Sequence, residues 1–206
     1  MRSRLLVLLT VLFSLVLSGC HPAAKEQLAF ICSNEESICK NWRDAYAAAT
    51  GKNISYLRLP TAQALTRIAS SPKTLEFDVW VGGPAENYVL AKRRGLLAAY
   101  KPTGISDIPA AMRDPQGYWF GVYGSLLGFC SDQKALSSRG LPVPKSWEEL
   151  ANPQYRGLVA ASSPLTSGTA FTVVRVLDEI YANQASTAIR QIYDNVPRLT
   201  NSGTAP

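Results

Sequence analysis

The sequence predicts an α/β fold whose central sheet is mainly parallel. Three successive units of strand, loop and helix occupy residues 28–94, and this alternation is typical of parallel strands covered by helices. The 206 residues are 47% hydrophobic and 17% charged, which is enough apolar material for one large domain or two small ones with a buried core. A globular α/β chain is therefore expected.

The strands and helices of the first half follow from apolar periodicity and from proline and glycine punctuation. In order, we expect a strand at Leu28–Cys32, a helix from about Ile38 that ends at Gly51, a strand at Asn53–Leu59, a helix at Thr61–Ser70, a strand at Phe77–Val81 and a helix from Pro84 or Ala85 to Arg94. Ligands of parallel sheets lie beyond the carboxyl ends of the strands. The loops Ser33–Ser37, Leu59–Thr61 and Gly82–Glu86 should therefore share one rim.

The second half has weaker patterns. In order, we expect a short helix at about Ile108–Arg113, two strands with a hinge within Tyr118–Phe129, a short helix at Trp147–Leu150, a strand-like run at Gly157–Ala160, a helix after Ser167 and a helix at about Ser186–Asn195. The end of the sequence is a polar loop with no closing element after it.

Ser167, Gly168 and Thr169 stand where a loop of small hydroxylated residues enters a helix. The first N–H groups of a helix have no intrahelical partner and carry partial positive charge, so this position suits an anion. Serine is equally an ordinary N-cap residue. From spacing alone, capping and anion binding both stay open.

Residues 1–19 have the order of an export signal. Arg2 and Arg4 precede an unbroken apolar run, Leu5–Leu17, and a small-residue cleavage site ends at Cys20. The run is too short to span a bilayer. The LSGC pattern resembles the bacterial lipobox, which would attach lipid to Cys20 and anchor the protein in the periplasm or on the outer face of the cell membrane. An ordinary signal peptide is the alternative. Residues 20–27 then form a polar tether.

Composition disfavours an enzyme. The single histidine, His21, lies in the tether, so no Ser-His-Asp triad, Cys-His pair or paired-histidine zinc site can form. No phosphate-binding glycine motif occurs, and no spacing singles out two acidic residues as a catalytic pair. The net charge of +6 includes the two arginines of the leader, and no long basic run suggests nucleic acid. No resident cofactor is expected.

Export would also determine whether the cysteines can form disulfides. An oxidising compartment permits a disulfide between Cys32 and Cys39, which are seven residues apart. Cys130 would then remain free. Its apolar neighbours Leu126, Leu127 and Phe129 suggest a buried, inert thiol inside a strand.

Five phrases in sequence order resemble the periplasmic solute-binding proteins of ABC importers, in the branch usually described as ferric-iron binding. They are DVWVGGPAENYVLAKRRGLLAAYKP, RDPQGYWFGVYGSLLGF, GLPVPKSWEELANPQYRGLV, SPLTSGTAF and LTNSGTAP. The resemblance covers residues 28–206. It implies a type II clamp of two α/β lobes that closes on a small solute and delivers it to a permease with its ATPase. The lobes would be residues 28–121 and 122–206, with the second lobe incomplete.

The resemblance also implies binding residues. In the family, the SGT stretch and the asparagine of the TNSG stretch cradle an oxyanion, which corresponds here to Ser167, Gly168, Thr169 and Asn201 and favours the anion alternative. The facing wall would contain Ser33, Glu35, Gly82 and Gly83.

The iron-binding pattern is kept only in part. Glu35 and Gly83 occupy positions where some iron binders have metal-binding His and Glu, and Gly83 cannot serve as a ligand. The family's tyrosine pair lies further along its chain, and Tyr88, Tyr118 and Tyr123 are expected to be core residues with satisfied hydroxyls.

The transported solute would be a ferric ion held with an oxyanion, or an anionic organic molecule. Two alternatives remain: an exported hydrolase with two carboxylates, and a remnant with no transport role.

Overall fold

The computed structural model describes residues 28–70 and 76–203. The helices and strands are, in order, β1 (Ala29–Cys32), α1 (Glu36–Thr50), β2 (Ser55–Arg58), α2 (Thr61–Ser70), β3 (Val79–Val81), α3 (Ala85–Arg93), α4 (Gln133–Ser137), α5 (Trp147–Leu150), β4 (Ala161–Ser162), α6 (Gly168–Tyr181), α7 (Ala185–Asp194) and β5 (Leu199–Thr200). The predicted leader, the tether with Cys20, and the last three residues lie outside the described residues. Within the described residues, no helix is long and apolar enough to cross a membrane.

The first region, residues 28–93, contains a parallel sheet in the order β2-β1-β3. Strand β1 lies in the centre, where Phe30 pairs with Tyr56 of β2 and Val79 of β3. All four residues of β1 are buried, as expected for a strand with neighbours on both edges and cover on both faces. The predicted parallel sheet is therefore present.

A covalent link holds α1 against this sheet. Cys32 at the end of β1 is bonded to Cys39 of α1, and both side chains are fully buried in a cluster with Phe30 and Ile54. Helix α1 ends at Gly51, which has a φ of 69° and donates its N–H to the carbonyl of Ala47. The predicted disulfide and the predicted helix end are both confirmed.

The second region, residues 133–203, contains helices α4 to α7 and strands β4 and β5. A two-stranded parallel sheet pairs β4 with β5, and Leu150, Leu177 and Ile192 form the buried core between α5, α6 and α7. The buried side chain of Asn195 donates hydrogen bonds to the carbonyls of Leu150 and Asn152 at 3.0 and 2.8 Å. These bonds fasten the end of α7 to the turn after α5.

Two strand predictions were wrong. Residues 118–129 contain no strand, and a single antiparallel bridge joins Phe120 to Arg113. An extended segment becomes a strand only where a neighbour supplies backbone partners, and none of the described strands pairs with this segment. The strand expected at Gly157–Ala160 forms instead at Ala161–Ser162, where β5 provides the partner.

Two smaller predictions also need correction. Cys130 is free, as expected, but exposed, because the segment before it belongs to no sheet that would cover it. The helix expected at Ile108–Arg113 is replaced by two single 3-10 turns, Ile105–Asp107 and Ala110–Met112. Pro109 separates these turns and cannot donate the N–H that a continuous helix requires.

Candidate functional site

The three loops that follow β1, β2 and β3 lie against one another. Ser33 accepts a hydrogen bond from the indole N–H of Trp80 at 3.0 Å, and its backbone N–H donates to the carbonyl of Val81 at 2.8 Å. A Cβ atom on Gly83 would lie 2.6 Å from Thr61 Oγ1, so only glycine permits this approach. The predicted common rim of these loops is therefore confirmed.

The three loops form the first wall of the candidate site, and the start of α6 forms the second. Ser167 is buried, and its hydroxyl accepts hydrogen bonds from the N–H groups of Ala170 at 3.3 Å and Gly203 at 3.2 Å. Ser167 is thus an N-cap residue whose hydroxyl also fastens the loop after β5. The capping alternative is confirmed, while anion binding stays a prediction because helix capping leaves other N–H groups of the first turn available.

The two walls touch along a line that we call the seam, where Thr61, Pro84 and Gly168 meet. A Cβ on Gly168 would lie 2.5 Å from Pro84 Cδ and 2.7 Å from Thr61 Oγ1. The N–H of Ala62, in the first turn of α2, donates to the carbonyl of Thr166 at 3.3 Å. The starts of helices α2, α3 and α6 therefore converge at one place.

An arginine bridges the seam. Arg58, the last residue of β2, donates from Nη2 to Ser202 Oγ at 2.7 Å and from Nε to the carbonyl of Asn34 at 3.0 Å. The side chain of Asn34 in turn accepts a hydrogen bond from the hydroxyl of Tyr123 at 2.8 Å. The guanidinium thus places a positive charge between the two walls.

The sequence prediction did not include Arg58, Asn34 or Thr61 among the site residues. A signal for Arg58 was available, because it is a charged residue at the carboxyl end of a strand, the edge where ligands bind. Asn34 lies between the predicted Ser33 and Glu35, and its side-chain contact depends on Tyr123, which is 89 residues away. No local pattern indicates such a contact.

Other predicted site residues are more peripheral. Glu35 is exposed and makes no side-chain cap hydrogen bond at the start of α1. Thr169 and Asn201 are also exposed, and the backbone carbonyl of Asn201 accepts a bond from Thr166 Oγ1 at 2.8 Å. Within residues 28–70 and 76–203, no three His, Cys, Asp or Glu side chains are grouped so that they could hold a metal ion.

Two of the tyrosines predicted to lie in the core, Tyr88 and Tyr123, differ in burial. Tyr88 donates its hydroxyl to the carbonyl of Gly82 at 2.7 Å, and its ring stacks on Trp80. Burial raises the pKa of Tyr88 far above its usual value, so the hydroxyl stays a donor, as expected for a satisfied core tyrosine. Tyr123 is 51% exposed, so its expected place in the core was wrong, but its hydroxyl is satisfied because it donates to Asn34 Oδ1.

Comparison with known proteins gives a family. The model of the family described as bacterial extracellular solute-binding protein matches residues 86–205, which is more than half of the chain. A probable ABC transporter periplasmic-binding protein of Sinorhizobium fredii is 26% identical over 171 residues, or 80% of this chain and 46% of the relative. The Fe(3+)-binding periplasmic protein of Serratia marcescens is 24% identical over 82% of this chain and 49% of the relative.

A solved structure agrees in fold. The periplasmic binding protein AfuA from Actinobacillus pleuropneumoniae, solved with exogenous fructose-6-phosphate bound, superposes with a TM-score of 0.82 at 26% identity. The match covers 87% of this chain and 58% of AfuA. The predicted α/β fold of the two-lobed binding-protein class is therefore confirmed, and the chain spans about half the length of the relatives it matches.

Proposed function

Because the chain belongs to the family of bacterial extracellular solute-binding proteins, we propose that it is the solute-binding component of an ABC importer. In this proposal, a small oxyanion-bearing solute binds at the seam between the two regions, in the periplasm. The bound form is then presented to a permease and its ATPase. The protein acts by closing on the solute and performs no chemical step.

The convergence at the seam is the observation that carries the proposal. The starts of α2, α3 and α6 meet around Thr61, Pro84 and Gly168, and the unpaired N–H groups of a helix start attract negative charge. The guanidinium of Arg58 lies beside Asn34 and Ser202 and adds a full positive charge. Partial and full positive charge together suit a phosphate or carboxylate group.

The class of solute is supported by relatives. AfuA was solved with a sugar phosphate bound, and we propose an anionic organic solute of this kind for the present chain. A ferric ion held together with an oxyanion is the second candidate, because a relative from Serratia marcescens is an Fe(3+)-binding protein. In both cases Ser167, Gly168, Thr169 and Asn201 would form one wall, and Ser33, Glu35, Gly82 and Gly83 the facing wall.

A thermal-shift screen of the full chain tests the function. Fructose 6-phosphate, inorganic phosphate, ferric citrate and a polyamine are compared, with fructose as the uncharged control. Selective binding to the folded state raises the melting temperature, and we expect fructose 6-phosphate to do so while fructose does not. Stabilisation by the polyamine alone would contradict the proposal. Consumption of the sugar phosphate in the same samples would favour a hydrolase.

We also propose that lipid on Cys20 anchors the protein to the membrane, on the basis of the arginine-led apolar run that ends in LSGC. The Cys20→Ala variant should move from the membrane fraction to the soluble pool, because the acyl chains supply the membrane affinity. Immunoblots of both fractions measure this. Unchanged membrane retention of the variant would contradict lipid anchoring without affecting the proposed solute binding.

A further inference from the structure

Asn34 carries a buried hydrogen-bond donor that the fold does not use. Its side-chain Nδ2 is buried and has no hydrogen-bond partner among residues 28–70 and 76–203. Buried donors in folded proteins are nearly always paired, and an unpaired one costs free energy. In the same part of the chain, Trp119 Nε1 is also buried and unpaired, but its backbone carbonyl accepts from the N–H of Asp114, and no contact links Trp119 to the seam residues in the described structure. The unused donor of Asn34 lies at the proposed binding site.

The contacts of Asn34 fix the direction of this donor. Its Oδ1 accepts the hydroxyl of Tyr123 at 2.8 Å, so Nδ2 points away from that tyrosine. A Cβ on Gly82 would lie 2.9 Å from Nδ2, and Gly82 also has a φ of 89°, which favours glycine. Nδ2 therefore packs against the backbone of Gly82, and Gly82 has no side chain that could accept its hydrogen bond.

The charge around Asn34 favours a negatively charged acceptor. The guanidinium of Arg58 donates to the backbone carbonyl of Asn34 at 3.0 Å. Of the two carboxylates that follow in the chain, Glu35 is exposed and Glu36 accepts the hydroxyl of Tyr56. A terminal anionic oxygen would accept a hydrogen bond from the amide donor close to the guanidinium, and hydrogen bonds to ionised acceptors are stronger than neutral ones.

We infer that Asn34 is a specificity-determining residue of the solute site, which donates a hydrogen bond from Nδ2 to an anionic oxygen of the solute beside Arg58. This inference rests on the proposed solute-binding function and narrows the solute class to molecules with a terminal oxyanion group, with phosphate monoesters as the best match. Closure on the solute would then give this buried donor an acceptor.

Titration calorimetry with fructose 6-phosphate and inorganic phosphate tests the role of Asn34. The Asn34→Asp variant keeps the size and the acceptor for Tyr123 but replaces the donor with a negative charge. We expect its affinity for fructose 6-phosphate to fall by about 10- to 100-fold, the loss typical of a hydrogen bond to a charged group. Asn34→Ala, which removes the donor without adding charge, should weaken binding by a smaller factor.

Asn53→Asp is the matched control. Asn53 is exposed and precedes β2 at the opposite edge of the sheet, so the substitution makes the same chemical change away from the seam. Its affinity should equal that of the wild type. Circular dichroism melts show that each variant is folded, and Asn34→Ala decides the matter if Asn34→Asp does not fold.

The outcomes separate the inference from the proposed function. Wild-type binding of the phosphate ester with equal affinity in both Asn34 variants would overturn the role of Asn34 and leave the function intact. If wild-type protein binds neither phosphate compound, the inference falls, whereas the proposed function is decided separately by the thermal-shift screen, which includes ferric citrate. Equal affinity of the wild type for fructose and fructose 6-phosphate would also overturn the inference, because the anionic oxygen would then contribute nothing.

Discussion

The two sheets of the molecule are stabilised in different ways. In the first region, β1 is hydrogen-bonded on both edges, Ile31 and Cys32 are completely buried, and a disulfide fixes α1 to the strand end. In the second region, β4 and β5 contribute two residues each, and the main buried cluster contains three aliphatic side chains from helices, with partly buried side chains packed around it. The second region therefore depends on a few side chains, and the first on backbone pairing and a covalent bond.

This difference bears on binding. The first wall of the seam follows directly from strand ends that the sheet holds in register, whereas the second wall is the start of α6, whose position depends on packing against α5 and α7. A substitution in the helical core should disturb the second wall more than a comparable change disturbs the first. The following substitutions test this contrast in order of expected effect.

Leu177→Ala should have the largest effect. The side chain of Leu177 is fully buried at the centre of the helical core, and a leucine-to-alanine change at such a site destabilises by about 2–5 kcal/mol. Urea unfolding followed by circular dichroism measures the loss. Leu126→Ala is the control, because Leu126 is 100% exposed. Equal stability of the two variants would contradict a core centred on Leu177.

Replacing Cys32 and Cys39 with alanine tests the covalent link of the first region. The loop that the disulfide closes is short, so the chain-entropy model gives a loss of about 2–3 kcal/mol. Thiol counting on the unreduced wild-type protein should detect Cys130 but neither Cys32 nor Cys39. Urea unfolding of the double variant measures the stability, and an unchanged midpoint would show that strand pairing alone fixes α1.

Gly168→Ala tests the contact between the two regions. The added Cβ would lie 2.5 Å from Pro84 Cδ, and overpacking of this kind costs about 1–3 kcal/mol. The walls should separate slightly, so the affinity for fructose 6-phosphate should fall together with the melting temperature. Gly128→Ala, where a Cβ would meet no atom within 4 Å and the φ is not in the left-handed region, is a control for the loss of glycine. A Gly168→Ala variant with wild-type affinity would show that the seam is not the solute site.

Asp114→Asn should have the smallest effect and one that depends on pH. Lys92 donates to Asp114, as do the backbone N–H groups of Gln116 and Tyr118, and these hydrogen bonds, with that of Lys92 the largest cause, lower the pKa of the Asp114 carboxyl. A lowered folded-state pKa stabilises above the unfolded value of about 3.9. This stability is lost as pH falls through the folded-state pKa.

The measurement is the melting temperature from pH 7 down to pH 3 for both proteins. The wild type should be the more stable at pH 7, and the difference from Asp114→Asn should shrink below about pH 4. Subtraction of the two curves removes the contribution of other carboxyls. A difference that stays constant over this range would contradict a role for the charge of Asp114.

Local sequence patterns were sufficient to predict the helices and strands of the first region. Apolar runs with proline and glycine punctuation predicted β1, α1 and α2 nearly to the residue, because these signals act over a few neighbouring residues. Export and a spacing of seven residues likewise predicted the disulfide of Cys32 with Cys39. The order of parallel strands placed the three loops of the first wall on one rim before any contact was known.

Only the tertiary structure decided the rest. Residues 118–129 have a strand-like composition but form no strand, because pairing requires a neighbour that local sequence does not specify. The exposure of Cys130 follows from the same missing neighbour. The bridge from Arg58 to Ser202 joins residues 144 apart, and the hydrogen bond of Tyr123 to Asn34 joins residues 89 apart. Contacts between residues so far apart in sequence depend on how the two regions pack. This packing places the unpaired donor of Asn34 at the seam.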